Sequence, residues 1–165
     1  MEVAPAGWNS GSDPSLLGAV AGKQTTLVPG ITHESVFNNS MSAVGFGYKN
    51  SLAIVAQNGA GTTYAAGASR AYTGGSKNDW YLPTLAEINL LCQWNRGVTL
   101  DVTTTCAGGT LNSGIGASAS GFTPGWYWSS SPHNVDHVFV QNFGGDNQGH
   151  GNKAYGAYVR PIRAF

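Results

Sequence analysis

Apolar residues recur along this chain with two different periods. In "LPTLAEINLLCQWNRG" (Leu82–Gly97), Leu85, Ile88, Leu91 and Cys92 fall three or four apart and make one stripe, which predicts an amphipathic helix. Thr84 stands three residues before Glu87. Its hydroxyl can accept from the Glu87 N–H while the carboxylate reaches back, a capping box. Gly97 ends the helix, and Pro83 lies just outside it, where a missing N–H does no harm. Glu87 therefore reads as a cap rather than a catalyst, and Cys92 as packing rather than a nucleophile. Two shorter helices are predicted upstream. "KNSLAIVAQNG" (Lys49–Gly59) can be closed by Gly59, and the Ala-rich "TTYAAGASRAY" (Thr62–Tyr72) has Thr62 or Thr63 as N-cap and Gly74 beyond its end. Gly67 inside the latter costs about 1 kcal/mol relative to Ala.

From Trp126 onward the period becomes two. In "WYWSSS", Trp126 and Trp128 face one way and Tyr127 and Ser129 the other, with both tryptophans assigned to the core. "VFVQNF" (Val138–Phe143) alternates similarly, and "AYVRPIRAF" (Ala157–Phe165) sets Val159 against Arg160 and Ile162 against Arg163. Pro161 cannot donate to a ladder and marks an edge or a bulge. Residues 1–45 read as loops and short strands, with turns at "NSGSDPS" and "VPG" and short strands at "QTTLV" and "ESVF". Thr103–Gly125 is a loop of small residues long enough to cover something or carry function. Loops and short strands, then helices, then sheet predict an α+β fold.

A length of 165 residues fits one domain, 1–165, with 1–45 as an N-terminal extension and 126–165 as its C-terminal region. Only 10% of residues are charged and 24 are Gly, a composition of turns and polar loops. The net charge is zero and the eight Lys and Arg are scattered, which argues against nucleic acid as partner. No apolar run has the length of a membrane span, and "MEVAPAGWNS" lacks the pattern of a signal peptide. Cys92 and Cys106 are compatible with a disulfide or with two reduced thiols. Asn38-Asn39-Ser40 fits a glycosylation acceptor, a triplet that also arises often by chance.

Candidate catalytic chemistry is sparse. Ser129, Ser130 and Ser131 lie close to His133 in sequence, but neither a nucleophile elbow nor a placed acid accompanies them. His133 and His137 are four apart, with Asp136 and His150 nearby. On a helix that spacing could grip zinc, but the surrounding Asn, Val and Gly do not read as a helix. No catalytic residue, metal ligand or cofactor is assigned, and the chain is not expected to be an enzyme.

"NDWYLPTLAEINLL" followed by "YWSSS", "QNF" and a terminal "VRPIRAF" resembles the variable proteins of diversity-generating retroelements. These belong to the formylglycine-generating-enzyme-like branch of the C-type lectin fold. The resemblance runs from about Lys49 to the C-terminus and rests on the order of the motifs rather than on any one of them. It implies a C-type lectin-like fold with two or three helices and a small twisted antiparallel sheet. It also implies a function. A reverse transcriptase miscopies adenines of a template repeat, and the copy replaces the 3′ end of the gene. AAC and AAT codons scatter into many residues on a fixed scaffold, and the exposed variable face binds a target.

Set against such a repeat, Trp128 to Ser131, Phe139, Gln141 to Phe143, Gln148, Lys153 and Val159 to Phe165 match scaffold. The implied variable, ligand-binding positions are His133, Asn134, Val135, Asp136, His137, Val140, Gly144, Gly145, Asp146, Asn147, Gly149, His150, Gly151, Asn152, Ala154, Tyr155, Gly156 and Ala157. Substituting adenine in AAC or AAT reaches every residue type in that set, whereas Lys153 and Gln148 cannot arise that way. Tyr155, His150, His137 and His133 offer the most contact area. The implied partner is a protein or glycan on a cell or virion surface, with no membrane insertion by this chain. Two departures matter. No cysteine follows Cys106, so the formylglycine-generating activity is not expected, and the Glu-Pro-Asn or Gln-Pro-Asp loop of calcium-dependent sugar binding is absent. A lectin-like module of fixed sequence, binding a carbohydrate or a protein, is the alternative.

Overall fold

The computed structural model describes residues 1–18, 42–113 and 121–164. In chain order they form β1 (Glu2–Val3), β2 (Ser15–Leu17), α1 (Gly47–Asn58), α2 (Ala65–Ala71), a 3-10 turn (Gly74–Ser76), α3 (Leu85–Arg96), β3 (Trp126–Pro132), β4 (His137–Asn142), β5 (Gln148–Asn152), β6 (Gly156–Tyr158) and β7 (Ile162–Arg163). The architecture is α+β. The strands expected at "QTTLV" and "ESVF", the turn at "VPG" and the Asn38-Asn39-Ser40 triplet lie outside the described residues. No helix among the described residues is long and apolar enough to cross a membrane.

The capping box forms as its spacing requires. The Thr84 hydroxyl accepts from the Glu87 N–H at 3.2 Å, and the Glu87 carboxylate accepts from the Thr84 N–H at 2.8 Å. Gly97 closes α3 in the left-handed region at φ 69°. Glu87 is itself buried and also accepts from the Gly45 N–H and the Tyr81 hydroxyl. Burial pushes its carboxyl above the ordinary glutamate range, against the pull of these donors. A group with a raised folded-state pKa contributes stability that is fully present below its unfolded value and is lost as pH rises through the folded one. Glu87→Gln is therefore expected to remove a decline in stability that begins at the ordinary glutamate value. Denaturant midpoints measured from acid to neutral pH check this; an unchanged slope would refute it.

α1 ends at Gly59, which adopts φ 86° and donates to the Val55 carbonyl. The start of α2 differs from expectation. Its N-cap is Tyr64, in extended conformation, and neither Thr62 nor Thr63 caps it. The entry is fixed instead by the buried Tyr64, whose hydroxyl donates to the Gly59 carbonyl at 2.6 Å. Gly67 has a packing reason: a Cβ there would run into the Gly61 carbonyl oxygen and the Tyr64 ring. Helix propensity is given up to let chain and ring approach.

The main sheet runs β2-β6-β3-β4-β5, and β1 pairs with β7 in a separate two-stranded sheet. The sheet is mixed rather than purely antiparallel, because β3 and β6 run parallel through Tyr127 and Tyr158. Residues 1–18 are part of this framework and not an extension. β1 and β2 pair with C-terminal strands, and the Trp8 indole donates to the Val159 carbonyl at 2.8 Å. Alternation in β3 and β4 sends Trp128, Val138 and Val140 into one core with Tyr64, Ala65, Leu82 and Val159. Tyr127 and Phe143 go into the other, with Ile88, Leu91 and Phe122. One face thus packs against α1 and α2 and the other against α3. Cys92 and Cys106, both buried in the second core, form a disulfide.

Two expectations about single residues fail. Trp126 is 38% exposed, because its neighbours on the sheet are Asn142 and the side-chain-free Gly149. Arg160 is fully buried beside Val159, because regular strand resumes only at Ile162 and the period of two does not hold there.

Candidate functional site

The implied variable positions fall on the β3–β4 connection, on β4 (His137 and Val140), on the β4–β5 turn, on strand β5, on the β5–β6 turn and on β6 (Gly156 and Ala157). Each turn is closed by an asparagine, whose side chain can replace a backbone acceptor. The Asn134 carbonyl oxygen accepts from the Asp136 and His137 N–H groups at 2.9 and 2.8 Å. Asn142 does the same for Gly144 and Gly145, and Asn152 for Ala154. The first and last connections are tied together by Lys153. Its N–H donates to the Asp136 carbonyl, and its ammonium donates to the carbonyls of Val135 at 2.7 Å and Asn134 at 3.3 Å. Burial pushes this ammonium below the ordinary lysine value, against the opposing pull of Asp136. At the other end Arg96 holds the β4–β5 turn, donating to the carbonyls of Phe143 and Gly145 and pairing with Asp146 at 2.7 Å.

β5 was not legible as a strand, and the structure makes it one. Five consecutive residues pair with β4, from Gln141↔Gln148 to His137↔Asn152. This brings three histidines together. The His133 and His150 rings stack at 4.1 Å with 10° between their planes, and His137 stands edge-on to His150 at 5.1 Å. Phe139 contacts His133 edge-on. Imidazole lone pairs lie in the ring plane, so stacked rings do not converge on one ion, and the described residues contain no group of three or more His, Cys, Asp or Glu placed to hold a metal. Ser129, Ser130 and Ser131 are buried and engaged: Ser129 donates to the Phe139 carbonyl, Ser130 accepts from Asn50 and Ser131 accepts from the Leu85 N–H.

Val135, Gly144, Asp146, Asn147, His150, Ala154, Tyr155 and Gly156 are exposed, Tyr155 at 73%. His133, Asn134, Asp136, His137, Gly145, Gly149, Gly151 and Asn152 are half-buried. Val140 and Ala157 are corrected. Both are buried in the core with Trp128 and Leu82, since their strand positions point inward, so they are not part of a binding surface. Gly151 also has an inward constraint: a Cβ there would lie 2.9 Å from the Trp128 ring.

Beside Gln148 lies a groove of about 730 Å³, walled by Val44, Leu85, Ala86 and Asn89 and by residues 102–105. Among the described residues, no charged side chain lines it. Sequence reasoning missed this groove because its lining comes from four separated stretches. Comparison with family models, with curated proteins and with solved structures finds no match to this chain.

Proposed function

We propose that this chain is a non-enzymatic ligand-binding protein, in which a C-type lectin-like scaffold presents a C-terminal surface diversified by adenine-directed reverse transcription. The observation that carries the reading is a segregation along residues 128–163. Ser129 to Ser131, Gln141, Phe143, Lys153 and Val159 to Ile162, assigned to the scaffold, are buried. The positions assigned as variable, Val140 and Ala157 apart, reach the surface. Buried and exposed residues alternate closely in sequence, and the assignment separates most of them, the scaffold positions Phe139, Asn142, Gln148 and Arg163 being half-buried.

The physics of such a surface is coherent. The turns are held by the Asn134, Asn142 and Asn152 side chains and by Lys153 and Arg96, so the other side chains at their tips can change at small cost to the fold. Asn, which closes the turns at 134 and 152, is also what an unaltered AAC or AAT codon encodes. Tyr155 and the histidines supply amphipathic area, and the glycines and asparagines supply adaptable shape.

Sequencing the 3′ end of the gene across its source population tests the reading. Scatter is expected at codons between Pro132 and Ala157, with Gln148 and Lys153 constant. A uniform sequence there would overturn diversification and leave a binding module of fixed sequence.

A further inference from the structure

We propose that β5 is a docking edge, to which an extended segment of a protein partner adds as a further strand of the sheet. This rests on the ligand-binding reading above and names the class of partner.

The argument starts from the ladder. Among the described residues, β5 is the last strand of its sheet. Asn142 donates to the Asn147 carbonyl and Lys153 to the Asp136 carbonyl, one bond at each end of the β4–β5 pairing. In an antiparallel ladder, directly opposed pairs alternate between bonded and unbonded. The bonded pairs are therefore 142/147, 140/149, 138/151 and 136/153, and the backbone N–H and C=O of Gln148 and His150 point away from β4. No bond to these groups is formed by any described residue. Two residues apart, they match the repeat of an added strand.

Natural edge strands are usually blunted by Lys, Pro or an inward charge. Gln148–Asn152 is "QGHGN", with none of these. Main-chain pairing is also indifferent to side-chain identity, so it supplies affinity that survives diversification of the same strand. The groove, lined by no charged side chain among the described residues, adjoins this edge at Gln148, with Val44, Leu85 and Val102 on its walls. An added strand would set alternate side chains toward it, so the fitting segment is extended and carries apolar residues at alternate positions. A glycan supplies neither the regular donors and acceptors nor the apolar side chains.

The test compares two substitutions at one position. Short linear peptides enriched on the protein from a displayed random library serve as the probe. His150→Ala removes the side chain and keeps the N–H; His150→Pro removes the outward N–H too, where an edge strand tolerates proline. The Pro variant is expected to bind the peptides roughly tenfold more weakly than the Ala variant. In the unsubstituted protein, hydrogen exchange at the Gln148 and His150 amides is expected to slow when peptide is added, a readout that holds even if the Pro variant fails to fold. Equal affinities with unslowed exchange overturn strand addition, as does a library that yields no binder. Binding lost in Tyr155→Ala but kept in His150→Pro would sink strand addition while sparing the binding surface. Binding indifferent to both would sink both. Concentration-dependent dimers lost in His150→Pro would make the occupant a second copy and overturn the proposal.

Discussion

Asp13→Ala is expected to destabilise the protein by about 3–5 kcal/mol, because it strands a buried guanidinium. The Arg160 and Asp13 side chains are 1% and 3% exposed. Arg160 donates to the Asp13 carboxylate through Nε at 3.0 Å and through a second nitrogen, and to the carbonyls of Ala4 and Gly121. Its plane lies over the Phe122 ring at 4.1 Å. The Tyr127 hydroxyl donates to the same carboxylate, and burial with the Asp13 charge pushes that phenol up. Removing Asp13 deprives Arg160, Tyr127 and the Gly7 N–H at once. It also removes one tie between residues 1–18 and the C-terminal segment, leaving the β1–β7 and β2–β6 pairings and the Trp8 bond. Urea unfolding should show the loss, and melting should fall by roughly 10 °C. Asp13→Leu with Arg160→Met is expected to recover most of the loss, since apolar replacement of a whole buried pair is often near neutral. A single variant as stable as the parent would refute the account.

The second large effect is expected from Cys92→Ala with Cys106→Ala, a loss of about 3 kcal/mol for a loop of this length. The cross-link joins α3 to the loop that follows it, across a sequence separation of 14. Amide side chains hold the same loop. Gln93 exchanges hydrogen bonds with the Asp101 backbone, and Asn89 binds the Thr104 carbonyl and the Cys106 N–H. The variant should therefore keep its fold at ambient temperature while unfolding at lower urea. Residues 102–105, which wall the groove, should exchange their amide hydrogens faster. A loss below about 1 kcal/mol would mean that the amides alone carry the loop.

Legibility tracked the range of the interaction. The α3 capping box needs only Thr84 and Glu87, three residues apart, and it formed as read. Gly59 and Gly97 close their helices with bonds to the preceding turn. The alternation of Trp128, Val138 and Val140 against Tyr127 and Phe143 was enough to place β3 and β4. Within the candidate site, the positions that reach the surface were legible only through the family resemblance. The inward residues Val140 and Ala157 were misassigned because a pattern of codons carries no information about strand facing.

What the sequence by itself determined is local: three helices with two of their ends, two central strands and the α+β order, each written in periodicity or in a cap. What only the tertiary structure decided is distant. "QGHGN" has almost no strand propensity and becomes β5 because β4 offers it a ladder. Arg160 is buried because Asp13, at the far end of the chain, compensates its charge. Lys153 joins two turns through carbonyls that no side-chain pattern reveals. The physical reason is the same in each case. Backbone hydrogen bonds and buried charges are satisfied by whichever group the fold brings near, and along the sequence those groups are neither close nor periodic.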